Sequence, residues 1–306
     1  MRVAMPTVSV ILPTFNRLHF LKLSIASVYA QTFPDWELII ADDGSTDETP
    51  AYLRSIEGLN VRIMWLAHSG NPSRVRNAAI NAACGHYLAF LDSDDIWSPE
   101  KLERQVAAMR ASPQSRWSYT ACDHIDADGR QLLKRSPDGI RPEGWIFDQL
   151  LTLSIGIAMP TVLAERALVD EVGRFDEQQL FGEFHDFCLR LSLKSQVLTL
   201  REQLCSVRRH GEHYSADQIA DAVGWIRLYE KMAALTSNAN LRSHCFQMRG
   251  ETYMRVARVQ LGRGSYRGAL TALRKALVYS WKYPRFWRRL FKRICGLAIP
   301  ITIRLS

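Results

Sequence analysis

The sequence is short of the features that would place it in several common classes. Its six cysteines stand at 84, 122, 188, 205, 245 and 295. None forms a C-x-x-C pair, and no histidine stands at zinc-finger spacing from one, so structural zinc and dithiol redox motifs are excluded. Thiols scattered in this way are expected to be buried and free, in a reducing compartment. No apolar run near either end approaches the roughly 20 residues of a membrane-spanning helix. The best stretch, 294–303, is about half that length. Neither a signal-peptide core nor an A-x-A site follows the first residues, and the expectation is a cytoplasmic protein. The last shortage is of acid. Beyond Glu251 there are 13 Lys and Arg and no Asp or Glu; as the whole chain carries +8, the residues up to 251 carry −5. A basic end on an acidic body does not coat nucleic acid; it offers one anion-seeking surface.

What is present is ordinary globular composition, 47% hydrophobic and 23% charged over 306 residues. Disordered, collagen-like and disulfide-scaffold classes fail on those values. The length suits one large domain with an appendage, or two domains. Strand and helix signals alternate through the first hundred residues: apolar strands at 8–12, 36–41, 61–66 and 87–91, and helical spacing at Leu18, Leu21, Ile25 and Val28, at 73–83, and at Leu102, Val106 and Met109. Ser45 to Glu48 has the pattern of a helix capping box. Such alternation predicts a parallel sheet covered by helices, whose ligands bind beyond the carboxyl ends of the strands. Further strands are expected at 117–121 and 161–164, and helix from 216 onward. Tyr253, Val256 and Ala257, then Gly264, Tyr266, Ala269, Leu273 and Ala276, stand at the offsets of one tetratricopeptide-like hairpin. That hairpin either packs on the main domain or docks a partner.

Three strand ends carry polar clusters: Pro13-Thr14-Phe15-Asn16, Asp42-Asp43-Gly44-Ser45 and Asp92-Ser93-Asp94-Asp95. Asp92 and Asp94, one residue apart at a strand end, point the same way. Their repulsion is relieved in a solvated loop, or by a hard divalent cation that also bridges a diphosphate. Asp43 either shapes a tight turn or accepts the N3–H of a uracil. Arg74 and Arg76 open a helix against its dipole, which suggests an anion or base for them to pair with, unless they are plain surface arginines.

In order along the chain, Ser9-Val10-Ile11-Leu12-Pro13-Thr14-Phe15-Asn16-Arg17, Asp42-Asp43-Gly44-Ser45-Thr46-Asp47, Arg76-Asn77-Ala78-Ala79-Ile80, Phe90-Leu91-Asp92-Ser93-Asp94-Asp95 and Val172-Gly173-Arg174-Phe175-Asp176-Glu177 resemble the signatures of family 2 glycosyltransferases. The resemblance covers about residues 7 to 215. It implies an α/β GT-A fold, a Rossmann-like mixed sheet flanked by helices, here with an all-helical C-terminal extension. It also implies an inverting transfer from a nucleotide sugar, UDP-linked by analogy, helped by Mn²⁺ or Mg²⁺. Pro13, Thr14, Asp43 and Arg76 would contact the nucleotide. Asp92 would contact the ribose or the metal and Asp94 would ligate the metal, with Asp95 as a substitute ligand. His210 would lie near the diphosphate, or is a surface histidine of a charged loop.

The chain departs from the family pattern at the general base. The family carries Glu-Asp before a helix ending Leu-Arg-Leu; here Gly182-Glu183-Phe184-His185-Asp186-Phe187-Cys188-Leu189-Arg190-Leu191 puts Phe184 at the usual Asp position. Phe184, Phe187, Cys188 and Leu191 make an apolar stripe, so Phe184 is expected to face the core. The catalytic candidates are then Glu183 first and Asp186 second, the latter also spaced for an ion pair with Arg190. Near the end, Phe286, Trp287, Leu290, Phe291 and Ile294 share one helical face and Arg285, Arg288, Arg289, Lys292 and Arg293 surround the other. That pattern suits an interfacial helix on anionic lipid, or a helix docked on the body. The expected organisation is a catalytic domain over 1–215, a helical extension over 216–284 and a basic tail over 285–306. Expected partners are a nucleotide-sugar donor, a lipid-linked or polysaccharide glycan acceptor and the inner membrane face, without nucleic acid. The rival is a non-catalytic nucleotide-sugar-binding scaffold whose helices recruit a partner.

Overall fold

The computed structural model describes residues 5–58, 60–132, 142–209, 217–282 and 287. The chain divides into two compact units, Met1–His213 and Tyr214–Ser306.

The first unit is built on one sheet. Strands β1 (Val8–Thr14), β2 (Trp36–Asp42), β3 (Val61–Trp65) and β4 (Tyr87–Phe90) are joined through helices α1 (Leu18–Tyr29), α2 (Thr49–Ile56) and α3 (Pro72–Ala82). β1 lies between β2 and β4, β3 lies outside β2, and all these pairs are parallel. Val8, Val10, Ile11 and Leu12 are all fully buried, as are Leu38, Ile39 and Ile40. Continuous apolar runs of this kind mark strands covered on both faces. The register sets Thr14 beside Asp42 and Ile11 beside Phe90, which brings the three polar strand ends to one edge.

Beyond β4 the sheet becomes mixed, as the family resemblance implied. After β5 (Ile96–Trp97), α4 (Lys101–Ala111) and β6 (Ser115–Ile125), the chain forms α5 (Phe147–Leu151), β7 (Leu163–Glu165), α6 (Arg166–Glu171), α7 (Glu183–Lys194) and β8 (Gln196–Arg208). β7 runs antiparallel to both β4 and β6, β6 pairs in parallel with β8, and β5 is antiparallel to β8. The sheet order is β3-β2-β1-β4-β7-β6-β8-β5.

The capping box expected at Ser45–Glu48 does not form. α2 starts at Thr49 with no side-chain cap at Glu48, and Asp47 Oδ1 accepts the Thr49 N–H at 2.9 Å instead. Ser45 turns back to Asp42, donating from both its N–H and its hydroxyl. Burial pushes the Asp42 carboxyl up, and the Ser45 hydrogen bonds oppose that shift. The Ser45 hydroxyl, which as an N-cap would have accepted a helix N–H, instead donates to the buried Asp42.

The second unit contains α8 (Gln218–Leu235), α9 (Ala239–Gly262) and α10 (Tyr266–Ser280). Asp217 and Asn238 cap α8 and α9 through their side chains. α9 and α10 approach through small residues: Ala257, Ala269, Ala272 and Ala276 are buried, and a Cβ on Gly250 would fall 2.7 Å from the Ser280 Cβ. Of the basic tail, only Trp287 lies within the described residues.

Lys101 is the conspicuous burial cost in the first unit. It has no exposed surface, and its ammonium has no hydrogen-bond partner among the described residues. The Trp97 ring lies 3.9 Å from Nζ. Burial pulls its pKa down to about 8. Against an unfolded value near 10.5, holding the proton costs on the order of 3 kcal/mol, offset in part by the cation–π contact. The unfolded chain binds the extra proton between those pH values, so the cost is full below pH 8 and fades toward 10.5. Lys101→Met is expected to stabilise the fold by about 1–3 kcal/mol at pH 7, with the gain shrinking as pH rises from 8 to 10.5; urea unfolding of both forms across that range checks it.

Candidate active site

The site is built along the edge where β1, β2 and β4 end. Thr14, the last residue of β1, is buried, and its hydroxyl has no hydrogen-bond partner among the described residues. An orphaned buried hydroxyl at a sheet edge is a costly feature that a ligand would relieve. Pro13, just before it, is half-buried. Asn16, with φ 46°, bridges this loop to the next: its N–H donates to Ser45 Oγ at 2.9 Å and its Oδ1 accepts the Thr46 N–H at 2.7 Å.

Asp43 is buried and heavily bonded. Oδ1 accepts the Ser69 N–H and hydroxyl, both at 2.9 Å, and Oδ2 accepts the Gly70 N–H at 2.9 Å. His68 Nδ1 lies 3.1 Å from Oδ2, and the imidazole stacks on Phe15 with centroids 4.2 Å apart. Asp43 therefore holds the loop over 68–70 in place beside the half-exposed Phe15 ring.

The acidic loop follows β4. Asp92 and Asp94 are partly exposed, whereas Asp95 is buried. Asp94 Oδ2 takes the Arg17 guanidinium at 2.7 Å. Asp95 Oδ1 accepts the Arg208 N–H at 2.8 Å, and the Arg208 side chain donates to the Asp94 carbonyl at 2.9 Å. Burial drives the Asp95 carboxyl well above its usual range, and the negative charges of Asp92 and Asp94 push the same way. The raised value favours the protonated form of Asp95, while Asp92 and Asp94 each face an arginine.

Arg76 joins the loop to α7. Its guanidinium is buried and donates to Asp92 Oδ1 at 2.8 Å and to Glu183 Oε1 at 3.2 Å, over the Phe175 ring at 5.4 Å. Burial alone would lower its pKa; the two carboxylates more than reverse that. Arg74, the other arginine of the pair, is exposed. Asn77 binds the Phe175 backbone through its amide and carbonyl, at 2.9 and 3.1 Å, which fastens the 173–177 segment to α3.

α7 separates the two catalytic candidates. Gly182, at φ 71°, makes the left-handed entry. Glu183 follows it and meets Arg76. Asp186 is fully buried and pairs with Arg190 at 2.8 Å, while Arg190 also donates to the Val172 carbonyl. Phe187, Cys188 and Leu191 are in the core, but Phe184 is only half-buried, which corrects the expectation that it faces the interior. In the first helical turn it stands where the chain is still entering the core. His210 lies outside the described residues.

Arg17, His68 and Arg208 belong to the site although sequence reasoning did not single them out as site residues. Arg17 had a signal, since it directly follows the polar cluster after β1. Arg208 had little, as it ends a strand whose apolar pattern is weak. Among the described residues no group of three His, Cys, Asp or Glu side chains is arranged as a metal cage.

An open curled mixed sheet with an acidic loop beyond its fourth strand, flanked by helices, is the GT-A fold of nucleotide-sugar glycosyltransferases. TarS of S. aureus, solved with UDP-GlcNAc, superposes with a TM-score of 0.60 over 88% of this chain and 90% of its own, at 20% identity. A mannosyltransferase of Pyrobaculum calidifontis, solved with GDP-Man and Mn²⁺, gives 0.59 over 97% and 82% at 17% identity. The model of glycosyl transferase family 2 matches residues 9–152, and an uncharacterized Haemophilus influenzae glycosyltransferase is 33% identical over 76% of this chain and 90% of its own. The chain belongs to glycosyl transferase family 2. The Escherichia coli UDP-Glc:alpha-D-GlcNAc-diphosphoundecaprenol beta-1,3-glucosyltransferase WfgD is 30% identical over 53% of this chain and 62% of its own. A Rickettsia bellii glycosyltransferase is 34% identical over 67% of this chain, which spans only 29% of that relative.

Removing the guanidinium would leave Asp92 and Glu183 without their shared counter-charge. Arg76→Met is expected to cost about 3 kcal/mol, and adding Asp92→Asn to recover part of it. Urea midpoints of the single and double variants test the coupling; an unchanged midpoint in Arg76→Met would show that the bridge contributes nothing.

Proposed function

We propose that the protein is an inverting glycosyltransferase that moves a sugar from a UDP-sugar to a hydroxyl of a lipid-linked or polysaccharide glycan of the cell envelope. The observation that carries the reading is the edge itself: three acids at Asp92, Asp94 and Asp95, each with an arginine beside it, next to an orphaned Thr14 hydroxyl and a fixed Asp43 loop. The UDP-GlcNAc complex of TarS and the diphosphoundecaprenol-linked acceptor in the WfgD name support the donor and acceptor classes.

Pro13, Thr14, Asp43 and Arg76 are proposed to hold the nucleotide, with Phe15 stacked against its base and the Thr14 hydroxyl taking a ligand hydrogen bond. For Asp43 to accept a uracil N3–H, one of its present donors must yield, and His68 is the one that also bonds the Asp43 carbonyl. His210 is proposed to face the diphosphate.

The acidic loop fits a hard divalent cation. Its donors are all oxygen, and Asp95 is raised by burial and, after that, by the charges of Asp92 and Asp94. Mg²⁺ and its relatives are bound through one or two carboxylates plus substrate phosphates rather than by protein cages, which matches the absence of a three-ligand group among the described residues. Asp94, with Asp92, would hold Mn²⁺ or Mg²⁺, and the ion would stabilise charge on the leaving diphosphate. Arg17 would then release Asp94 and remain near the phosphates as a second cation.

Glu183 is proposed as the general base. It takes the acceptor hydroxyl proton as that oxygen bonds the anomeric carbon from the face opposite the diphosphate. The anomeric C–O bond breaks with its electron pair leaving on the diphosphate, and the centre inverts. Arg76 orients Glu183 toward Asp92 and so toward the donor. Asp186, held by Arg190, anchors α7 and takes no proton.

An acceptor carried on lipid suits a protein at the inner membrane face. Among the described residues no helix is long and apolar enough to cross a bilayer, so attachment would be peripheral. Phe184 favours a second reading, a donor-binding scaffold without turnover. UDP release from a panel of UDP-sugars with Mn²⁺ separates the two, since the scaffold binds and releases nothing. Under the enzyme reading, Glu183→Gln lowers turnover by about 10²–10⁴-fold with donor affinity unchanged. A parental rate in that variant would assign the base elsewhere.

A further inference from the structure

Helix α10 carries an apolar face that stays exposed among the described residues. Tyr266, Leu270, Leu277 and Trp281 are between 39% and 75% exposed, with Leu273 half-buried among them. At 3.6 residues per turn these five positions fall within an arc of about 80° on a helix about 22 Å long. The alanine side of the helix, Ala269, Ala272 and Ala276, is buried. On the other border of the stripe lie Arg274 and Arg267, with Val278 just beyond them, whereas Lys275 lies on the far side, over the Tyr253 ring of α9 at 5.6 Å; no acidic residue follows Glu251 anywhere in the chain.

The charge decides what covers this face. A second copy of α10 would set arginines and lysines against arginines and lysines. The basic tail of the same chain, folded back, would do the same. An anionic surface pairs with the bordering Arg267 and Arg274 while aliphatic and aromatic side chains enter the acyl boundary, which is the composition of a helix lying in a membrane interface.

We propose that the exposed face of α10 lies on an anionic bilayer, with Tyr266, Leu270, Leu277 and Trp281 inserted and Arg267 and Arg274 against the headgroups. The proposal rests on the reading of a membrane-borne acceptor, but its test needs no turnover. Full-length protein is floated with phosphatidylglycerol–phosphatidylcholine vesicles and with phosphatidylcholine alone. The parent is expected to float with the anionic vesicles only, and less at high salt. Leu270→Glu/Leu277→Glu and Arg267→Glu/Arg274→Glu, both confined to exposed positions and checked for helix content, are each expected to weaken the partition about 10-fold or more.

A tail variant, Arg288→Glu/Arg289→Glu, separates the contributions: flotation lost there but kept in both α10 variants overturns the proposal. So does a parent that floats with neither vesicle. Light scattering reads the remaining alternative, since a parental dimer that the leucine variant converts to monomer assigns the face to a second copy. UDP release in solution, unchanged in the α10 variants, keeps a failure here distinct from a failure of the glycosyltransferase reading.

Discussion

Arg76 cannot be buried alone. A guanidinium removed from water is tolerable only where carboxylates meet it with good geometry, and here those carboxylates come from two distant places. Asp92 stands beyond β4 and Glu183 opens α7, while Arg76 lies in the first turns of α3. Satisfying one cation therefore fixes the mutual position of three elements that no local rule connects. The aromatic floor is part of the same constraint: Phe175 underlies the guanidinium and stacks on Phe187 of α7, with Phe90 of β4 at their edge. Charge and ring packing close on the same point, so the acidic loop and the start of α7 face one another as two sides of a single site.

Around that point each carboxylate of the loop is answered from a different segment. Arg76 answers Asp92, Arg17 answers Asp94, and Arg208 answers Asp95 through its backbone while gripping the Asp94 carbonyl with its side chain. The side chain of Arg208 also reaches the carbonyls of Asp126 and Ala127. These bonds hold the loop in shape, with an arginine beside each acid. Burial first, and the charges of Asp92 and Asp94 second, raise the Asp95 carboxyl, and a loop already held in this way needs little further ordering to meet a ligand.

Much of this was legible in the sequence, and the limits have a physical origin. The apolar runs of β1, β2 and β4 end in polar clusters, and parallel pairing brings those ends together, so their convergence follows from local signals alone. The reversal at β7 does not, because three residues cannot announce which neighbour they pair with. β8 was unseen for a related reason: it is long but only patchily buried, so period-two alternation is weak along it. Ser45 misled because its capping pattern competes with a buried acid three residues earlier, and the acid wins. Arg17 and Arg208 act across 77 and 114 positions of chain, distances at which spacing carries no information.

The departure at Phe184 is then a matter of one helical turn. Successive residues on a helix point about 100° apart, so a change at 184 does not pass its role to 185 or to the next acid along. Asp186 sits three residues on from Glu183, yet it is drawn inside by Arg190, which is itself tied to the Val172 carbonyl. Glu183 alone among the carboxylates of this turn is held outward, by the left-handed entry at Gly182 on one side and by Arg76 on the other. The same helix thus sorts two like groups into an anchoring acid at Asp186 and an acid at Glu183 that meets Arg76.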